Sequence, residues 1–508
     1  MCDQQSSLRW RFLVSGTSVG LGMLLAGCTA LDKAPEPDRL AMPFLSDSFL
    51  HSARSAKAMV ATPATAPEFW NAFGSPDLVR LVDRAEQGSL DIDISIARVK
   101  QAEANTQEAV TGFFPTGGLG ATSTTYRSSA TSAGLPEGKL PVGQLRKAGL
   151  NASWELDFWG KNAAIHEAAR RKGEASVFAL AATRLTITSE TALSYVQVLS
   201  LRDQLALARQ NLSLARKVRD NVDERVEAGS ATEVTLAQQE TVVLQQEASI
   251  VRLSRALMQE EINLALLVGA RPGEITLDKG GLSRLTLPKV DAGLPSDLLS
   301  RRPDVREVEE QLLASASNVA AARAAMLPSL TISLQKGFES LSNATLFSPQ
   351  SGVFTLTSQL TQPLFDAPRL AAQLQASKAQ RDELVATYEK AVLTALTDVE
   401  KALVALNTIT REASIAAKAT ASARKAYDLT LEQLEAGQVD MTTVLNTQRD
   451  YFSAADSLAQ IRLARFQAAI GLYRAMGGGW SPEDARALMA QRQPGQARGA
   501  TAAPAVLQ

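Results

Sequence analysis

Histidine and cysteine are scarce in this sequence, and their placement argues against catalysis that depends on them. In 508 residues there are two histidines, His51 and His166, and two cysteines, Cys2 and Cys28. The histidines lie far apart, and no nucleophile motif accompanies either, so a triad has no candidate members. A zinc site of the usual His and Cys ligand type is equally without candidates. No phosphate-binding P-loop occurs, so the sequence offers no site of that kind for nucleotide-driven work. Cys28 closes a distinctive segment. Arg9 and Arg11 precede an apolar run from Phe12 through Ala26, which ends Leu25-Ala26-Gly27-Cys28. A basic start, a short apolar core and small residues before a cut form a secretory signal over residues 1–27, too short and wrongly flanked to span a membrane.

The remaining marked positions are polar punctuation of long helices. Arg225–Gln238 reads RVEAGSATEVTLAQ and Gln433–Asn446 reads QLEAGQVDMTTVLN. Each is a glycine turn, at Gly229-Ser230 and Gly437-Gln438, closing one helical stretch and opening another. Phe114-Pro115-Thr116 is matched by Leu327-Pro328-Ser329, and Leu156–Trp159 by Gln362–Phe365. The pairs stand about 206–213 residues apart, so the repeat is half a protein rather than a short solenoid unit. Arg301-Arg302-Pro303-Asp304 reads as a helix start, with proline at the first position and an acid in the first turn.

The elements that carry these points are legible as pattern. The 52 basic and 53 acidic residues nearly cancel, which leaves no nucleic-acid footprint. Asp77–Thr111 is helical with a break near Gly88-Ser89, and its core side is Leu78, Leu81, Val82, Ala85, Ile92, Ile96 and Val99. A strand near Leu119–Tyr126 is followed by a second in which Ala148, Leu150, Ala152, Trp154 and Leu156 alternate with polar residues. From Gly160 to Ala228 there is no proline, and Leu201, Leu205, Ala208, Leu212 and Ala215 follow coiled-coil spacing. That stretch would reach roughly 100 Å as one helix. A second helix returns from Glu233 to Val268. The plan then restarts: a helix over Asp304–Met326, strands around Leu330–Gln335 and Phe354–Leu360, a long helix from Pro368 to Ala436 with Leu396, Val399, Leu403 and Leu406 as its seam, and a return over Met441–Met476. The expected domains are the signal (1–27), a tether (28–66), a first repeat (67–270), a connector (271–295), a second repeat (296–480) and a tail with disordered composition (481–508).

Two strands per half cannot stand alone, and four per chain still leave open edges, which lipid does not tolerate. Closure between several copies answers this, with apolar side chains outward and polar ones inward. The helices carry narrow apolar stripes and wet faces, so in a ring they would line a tube. A solid helical bundle would account for the helices but would leave the strand pairs without a purpose.

Taken together, Leu25–Cys28, Leu299–Arg306, Ala324–Leu330, the two EAG turns and Gly477-Gly478-Gly479-Trp480 resemble the outer-membrane efflux lipoproteins of the TolC/OprM/NodT type, over roughly residues 20–480. The resemblance implies a mixed α/β membrane protein with two structural repeats. Its long antiparallel helices would form an α-helical barrel, and four strands per protomer would join a shared twelve-stranded outer-membrane β-barrel in a homotrimer. It implies no cofactor beyond covalent lipid on Cys28, with Thr29 in place of an inner-membrane retention signal. The chain would be a lipid-anchored passive exit duct, not an enzyme. Its partners would be a periplasmic adaptor, an inner-membrane pump of the resistance-nodulation-division type and outer-membrane lipid. Gly229, Ser230, Gly437 and Gln438 would meet the adaptor at the periplasmic tips, and Arg301–Asp304 would have a structural role at the equator. Family members often place pore-facing acids beyond the second tip. The matching positions here are Thr443 and Asn446, flanked by Asp440 and Arg449, so an acidic selectivity ring does not carry over. Closure is expected to rest on helix packing and on polar contacts of Thr443, Asn446 and Asp440. A periplasmic adaptor would carry one helical hairpin between β-rich domains, whereas this sequence has two hairpins, each with its own strand pair.

Overall fold

The computed structural model describes residues 49, 66–127, 142–288, 300–480 and 486–487. Cys28, the signal segment, nearly all of the tether and nearly all of the tail lie outside the described residues.

Three short helices open the fold: α1 (Ala66–Asn71), α2 (Pro76–Gly88) and α3 (Leu90–Val110). Ser75 caps α2 by accepting from the Leu78 amide at 3.3 Å, and its hydroxyl also meets the Tyr195 hydroxyl at 2.8 Å. The expected core residues Leu78, Leu81, Val82, Ala85, Ile92, Ile96 and Val99 are all buried. The break at Gly88 has a cause: a Cβ there would fall 2.5 Å from the Val268 carbonyl oxygen, so only glycine lets the two backbones approach.

Two strands follow, β1 (Thr116–Arg127) and β2 (Val142–Leu156), then a 67-residue helix α4 (Lys161–Glu227) and its 35-residue return α5 (Glu233–Leu267). The second half has α6 (Pro303–Ala324), β3 (Ser329–Ser340), β4 (Gly352–Thr361), a 69-residue α7 (Ala367–Glu435) and a 35-residue α8 (Met441–Ala475). Each long helix outruns its return helix. The surplus length of α4 packs on α3 and α6, and that of α7 packs on α6. Leu201, Leu205, Ala208 and Ala215 are buried as the seam pattern requires, whereas Leu212 is only half-buried.

The main core lies where the first and last helices meet. Phe69 stacks on Tyr473 at 3.8 Å, Trp70 meets the same ring edge-on at 5.1 Å, and Phe73 closes the cluster. Burying each of these aromatics contributes about 1.5–3 kcal/mol. Phe49 packs separately against Val399, Leu403, Leu472 and Ala475.

The strands form one antiparallel sheet in the order β1-β2-β3-β4, which leaves β1 and β4 as its edges. Its register places Leu119 beside Leu150, Leu150 beside Lys336, and Lys336 beside Phe354. One face therefore carries Leu119, Ala148, Leu150, Trp154, Leu330, Ile332, Leu334, Leu356 and Leu360. The alternation is less clean than the sequence suggested, because Lys336 and Ser358 interrupt the apolar face. On the opposite face Gly120, Gly149 and Gly337 stand in register. A Cβ on Gly149 would meet the Lys336 carbonyl oxygen at 2.6 Å, and one on Gly337 would meet that of Ala148 at 2.3 Å. The two strands approach so closely here that a side chain at either position would have to displace backbone.

Candidate channel wall and gate

The wall begins where helices pass into strands. Trp159 Nε1 donates to the Pro328 carbonyl at 2.7 Å, tying the two halves together at that level, and Trp154 Nε1 donates to the Phe113 carbonyl at 3.1 Å. Asp157 accepts from the Ala163 amide at 2.8 Å and so holds the first turn of α4. The polar sheet face bears few charges, and they are paired: Lys147 with Glu339 at 2.9 Å, and Glu155 with Lys161 at 2.5 Å. Among the described residues no helix is long and apolar enough to cross a membrane, a statement that says nothing of strands.

At the far end the two hairpin tips are built alike. Gly229 has φ +73° and Gly437 φ +69°, the left-handed conformation that closes a helix. Gly229 N–H donates to Val226 O at 2.9 Å and Ser230 N–H to Arg225 O at 2.8 Å; Gly437 donates to Leu434 O at 3.1 Å and Gln438 to Gln433 O at 2.8 Å. All four expected tip residues are exposed. A Cβ at either glycine would meet open space, so the backbone dihedral alone calls for glycine there.

The return helices start differently. Thr232 caps α5, its hydroxyl accepting from the Thr235 amide at 3.2 Å. Asp440 caps α8, accepting from the Thr443 amide at 2.9 Å and the Thr443 hydroxyl at 2.6 Å. The bond from the Thr443 hydroxyl, followed by that from its amide, holds the Asp440 carboxyl below the usual carboxylate range. Thus Asp440 and Thr443 act on each other rather than as two independent groups. The Asp-x-x-Thr spacing was the available signal for this cap. Asn446 and Arg449 lie on the exposed side of α8, opposite Val444, Leu445, Gln448, Tyr451 and Phe452. Asp450 shares that exposed side, and sequence reasoning passed over it.

Behind this face two glutamines from neighbouring levels of the two halves meet, one residue out of step when counted from the tip glycines. Gln239 Nε2 donates to Ala215 O at 2.7 Å and approaches Gln448 Oε1 at 3.4 Å, both side chains being buried. Neither was marked from sequence.

The Arg301–Asp304 motif forms a clasp. Arg302 is 8 % exposed and donates to both oxygens of Asp304, at 3.0 and 2.6 Å. It also reaches Asp398 of α7 at 3.2 Å and the Ala475 carbonyl ending α8 at 3.2 Å. Burial works against its charge, yet the hydrogen bond and charge of Asp304, with Asp398 behind them, raise its pKa. Burial likewise opposes ionisation of Asp304, and the Arg302 guanidinium outweighs it, holding that carboxyl low. Pro303 starts α6 as expected. The Arg301 carbonyl accepts from Trp480 Nε1, and the three glycines before Trp480 all have positive φ. A Cβ on Gly477 would strike that carbonyl at 2.5 Å. Asp398 and Ala475, which complete the clasp, carried no mark in the sequence.

Among the described residues no group of three or more His, Cys, Asp or Glu side chains could hold a metal ion. The wall, the tips and the clasp are built from paired charges, glycine turns and helix caps.

Comparison with known proteins agrees. A 37% identical relative, "Pyoverdine export outer membrane protein OpmQ" of Pseudomonas aeruginosa, aligns over 82% of this chain and 88% of its own length. "Probable outer membrane lipoprotein SilC" of Salmonella typhimurium is 28% identical over 91% of this chain and 98% of its own. The solved open state of the Neisseria gonorrhoeae MtrE outer membrane channel superposes with a TM-score of 0.75 at 25% identity, covering 86% of this chain and 96% of that one. The family described as "Outer membrane efflux protein" matches residues 81–270 and 294–478, and the chain belongs to that family.

Proposed function

We propose that three copies of this chain form one passive exit duct, with the sheet in the outer membrane and the hairpins in the periplasm. The chain is an outer-membrane efflux channel and not an enzyme. The trimer rests chiefly on one observation: a four-stranded sheet with both edges unpaired sits at the end of two helical hairpins. Edges in lipid must be closed, and joining β1 of one copy to β4 of the next closes them without new elements. An exposed stripe on α5 supports the same reading. Leu244, Val251 and Met258 recur every seventh residue and are 63%, 70% and 58% exposed, an apolar seam left for a second copy.

Each half, 67–270 and 296–480, supplies one hairpin and one strand pair, with residues 271–295 between them. Residues 28–66 run from the lipid-bearing Cys28 to the first helix. The tips at Gly229-Ser230 and Gly437-Gln438 receive the adaptor, which joins the duct to an inner-membrane pump. Thr443 and Asn446, with Asp440 as cap and Arg449 deeper, line the closing point. Cargo is small molecules of mixed charge, since the charges on the polar sheet face are paired; relatives are named for export of pyoverdine and of toluene. The test is the mass of the membrane-extracted protein with a heat-modifiable band on gels. A stable single copy without that band would sink the proposal.

A further inference from the structure

Helix α4 has two unlike sides. Val177, Leu180, Ala181 and Ile187 enter the main core, and the side opposite them carries Lys172, Ser176, Ala179 and Thr183. This second side is part of the floor of a groove of about 520 Å³. Helices α3, α4, α6 and α7 pack in that order and all four line the groove, so it lies on the inner side of their curve.

The groove is laid out by helical turns. Lys172 and Ser176 stand one turn apart on α4, and Glu307 and Gln311 one turn apart on α6. The ion pair of Arg171 with Glu310 and the seat of Arg306 over Phe178 set the register, which puts Gln311 level with Lys172 and Glu307 level with Ser176. On the α3 side Ser95 donates to Thr183 at 3.1 Å and Thr106 to the Ala169 carbonyl at 3.2 Å, which sets Arg98 level with 177–180 of α4. Arg98 and Lys172 therefore stand roughly 8–12 Å apart along the helix axis, with Glu307 at a level between them. Neither cation has an ion-pair partner among the described residues. The one acid lining the groove among the described residues is Glu307, which accepts from Gln311 Nε2 at 3.0 Å. Asp304, three residues earlier, is taken by Arg302. Burial, followed by the charge of Asp304, pushes the Glu307 carboxyl above its ordinary pKa. Such a carboxyl can donate as well as accept, and it repels an acid less than an ordinary one does.

We propose that this groove is a weak binding site in the duct wall for elongated organic acids, two carboxylates joined by a hydrogen-bonding backbone, as in an acidic peptide. Lys172 and Arg98 take the two carboxylates, and Ser176, Gln311 and Glu307 bond the segment between. The proposal rests on the duct reading above and names a class of cargo for it. An exit path needs sites that attract and still release, and exposed cations hold an acid only loosely.

The experiment measures peptide binding to detergent-extracted full-length protein by ligand-observed NMR. The probe is an acetylated, amidated tetrapeptide with aspartates at its ends and glycines between, with an extended reach of about 10 Å. Asparagine and lysine versions serve as neutral and cationic controls. The acidic peptide is expected to bind about tenfold more tightly than the neutral one, and the cationic one least. Lys172→Gln and Arg98→Gln should each weaken the acidic peptide about threefold, and together about tenfold, to the level of the neutral control. Glu307→Gln, which keeps the hydrogen bonds and removes the charge, should tighten binding about twofold. Lys401→Gln, in a separate cavity beside the clasp, should leave it unchanged. Equal binding of acidic and neutral peptides, a double variant that binds like the parent, or a Lys401 variant weakened as much as Lys172→Gln would overturn the proposal. If the double variant does not assemble, the single variants and the peptide comparison on the parent decide. A heat-modifiable trimer without acid preference counts against the groove alone, whereas acid preference in a stable single copy supports the groove and counts against the duct.

Discussion

The two hairpins share lengths, turn geometry and a glycine at the tip, yet they bury different things. Helix α5 buries only Gln239, Leu264 and Ala265, while α8 buries a continuous side from Val444 through Tyr473. The long helices reverse the pattern: α4 buries 24 residues, α7 only 9. Each hairpin thus pairs one well-covered helix with one left open, but the open member is the return helix α5 in the first and the long helix α7 in the second. On α5 the exposed residues form an apolar seam that is available to another surface.

Charging the open seam is the strongest way to break this comparison. Leu244→Asp with Val251→Asp is expected to abolish the proposed trimer in mass measurements, whereas Ser453→Asp on the exposed side of α8 should leave the mass unchanged. If both changes act alike, the contrast between the two return helices is wrong.

Next comes the clasp at Arg302, which ties α6 to the second hairpin. Arg302→Ala strands two carboxylates and is expected to cost about 2–4 kcal/mol in unfolding, the lower part of the range for a broken buried pair, since both acids remain partly wet. Because the Asp304 carboxyl is held low, this stability is present above about pH 4 and lost as pH falls through its folded value. Melting followed downward in pH should show the loss in the parent and little of it in the Arg302 variant.

The tips sharpen the likeness rather than the difference. Gly229→Ala and Gly437→Ala should each cost about 1–2 kcal/mol and by similar amounts, because left-handed backbone is the sole obstacle at both. Unequal costs would mean that the tips are loaded differently in the assembly. The smallest effect concerns conductance. Asn446→Ala is expected to raise single-channel conductance with little change in melting. Unchanged conductance would remove Asn446 from the closing point.

Much of this was legible as period and punctuation. Helix ends at Gly229 and Gly437 carry their own signal, and Leu78–Val99 declared its buried side by spacing. The clasp was only half visible. Pro303 and Asp304 mark a helix start locally, but Asp398 and Ala475 join Arg302 only through folding, and long-range partners leave no periodic trace. Lys336 breaks the alternation of β3, and a single ion leaves no period from which to expect it. The Gln239–Gln448 contact was hidden for a related reason: glutamine on a helix reads as a wet residue until the opposite helix is in place.

The glycine pair in the sheet has a consequence for how a cylinder can be made at all. Gly149 and Gly337 set a close approach of β2 and β3 within a single polypeptide, since no larger residue fits there. In the proposed trimer each protomer would bring this approach with it, so that closure would ask only that rims meet. A methyl group at Gly337 is expected to push β3 away from β2 and so to misplace the rim that must join.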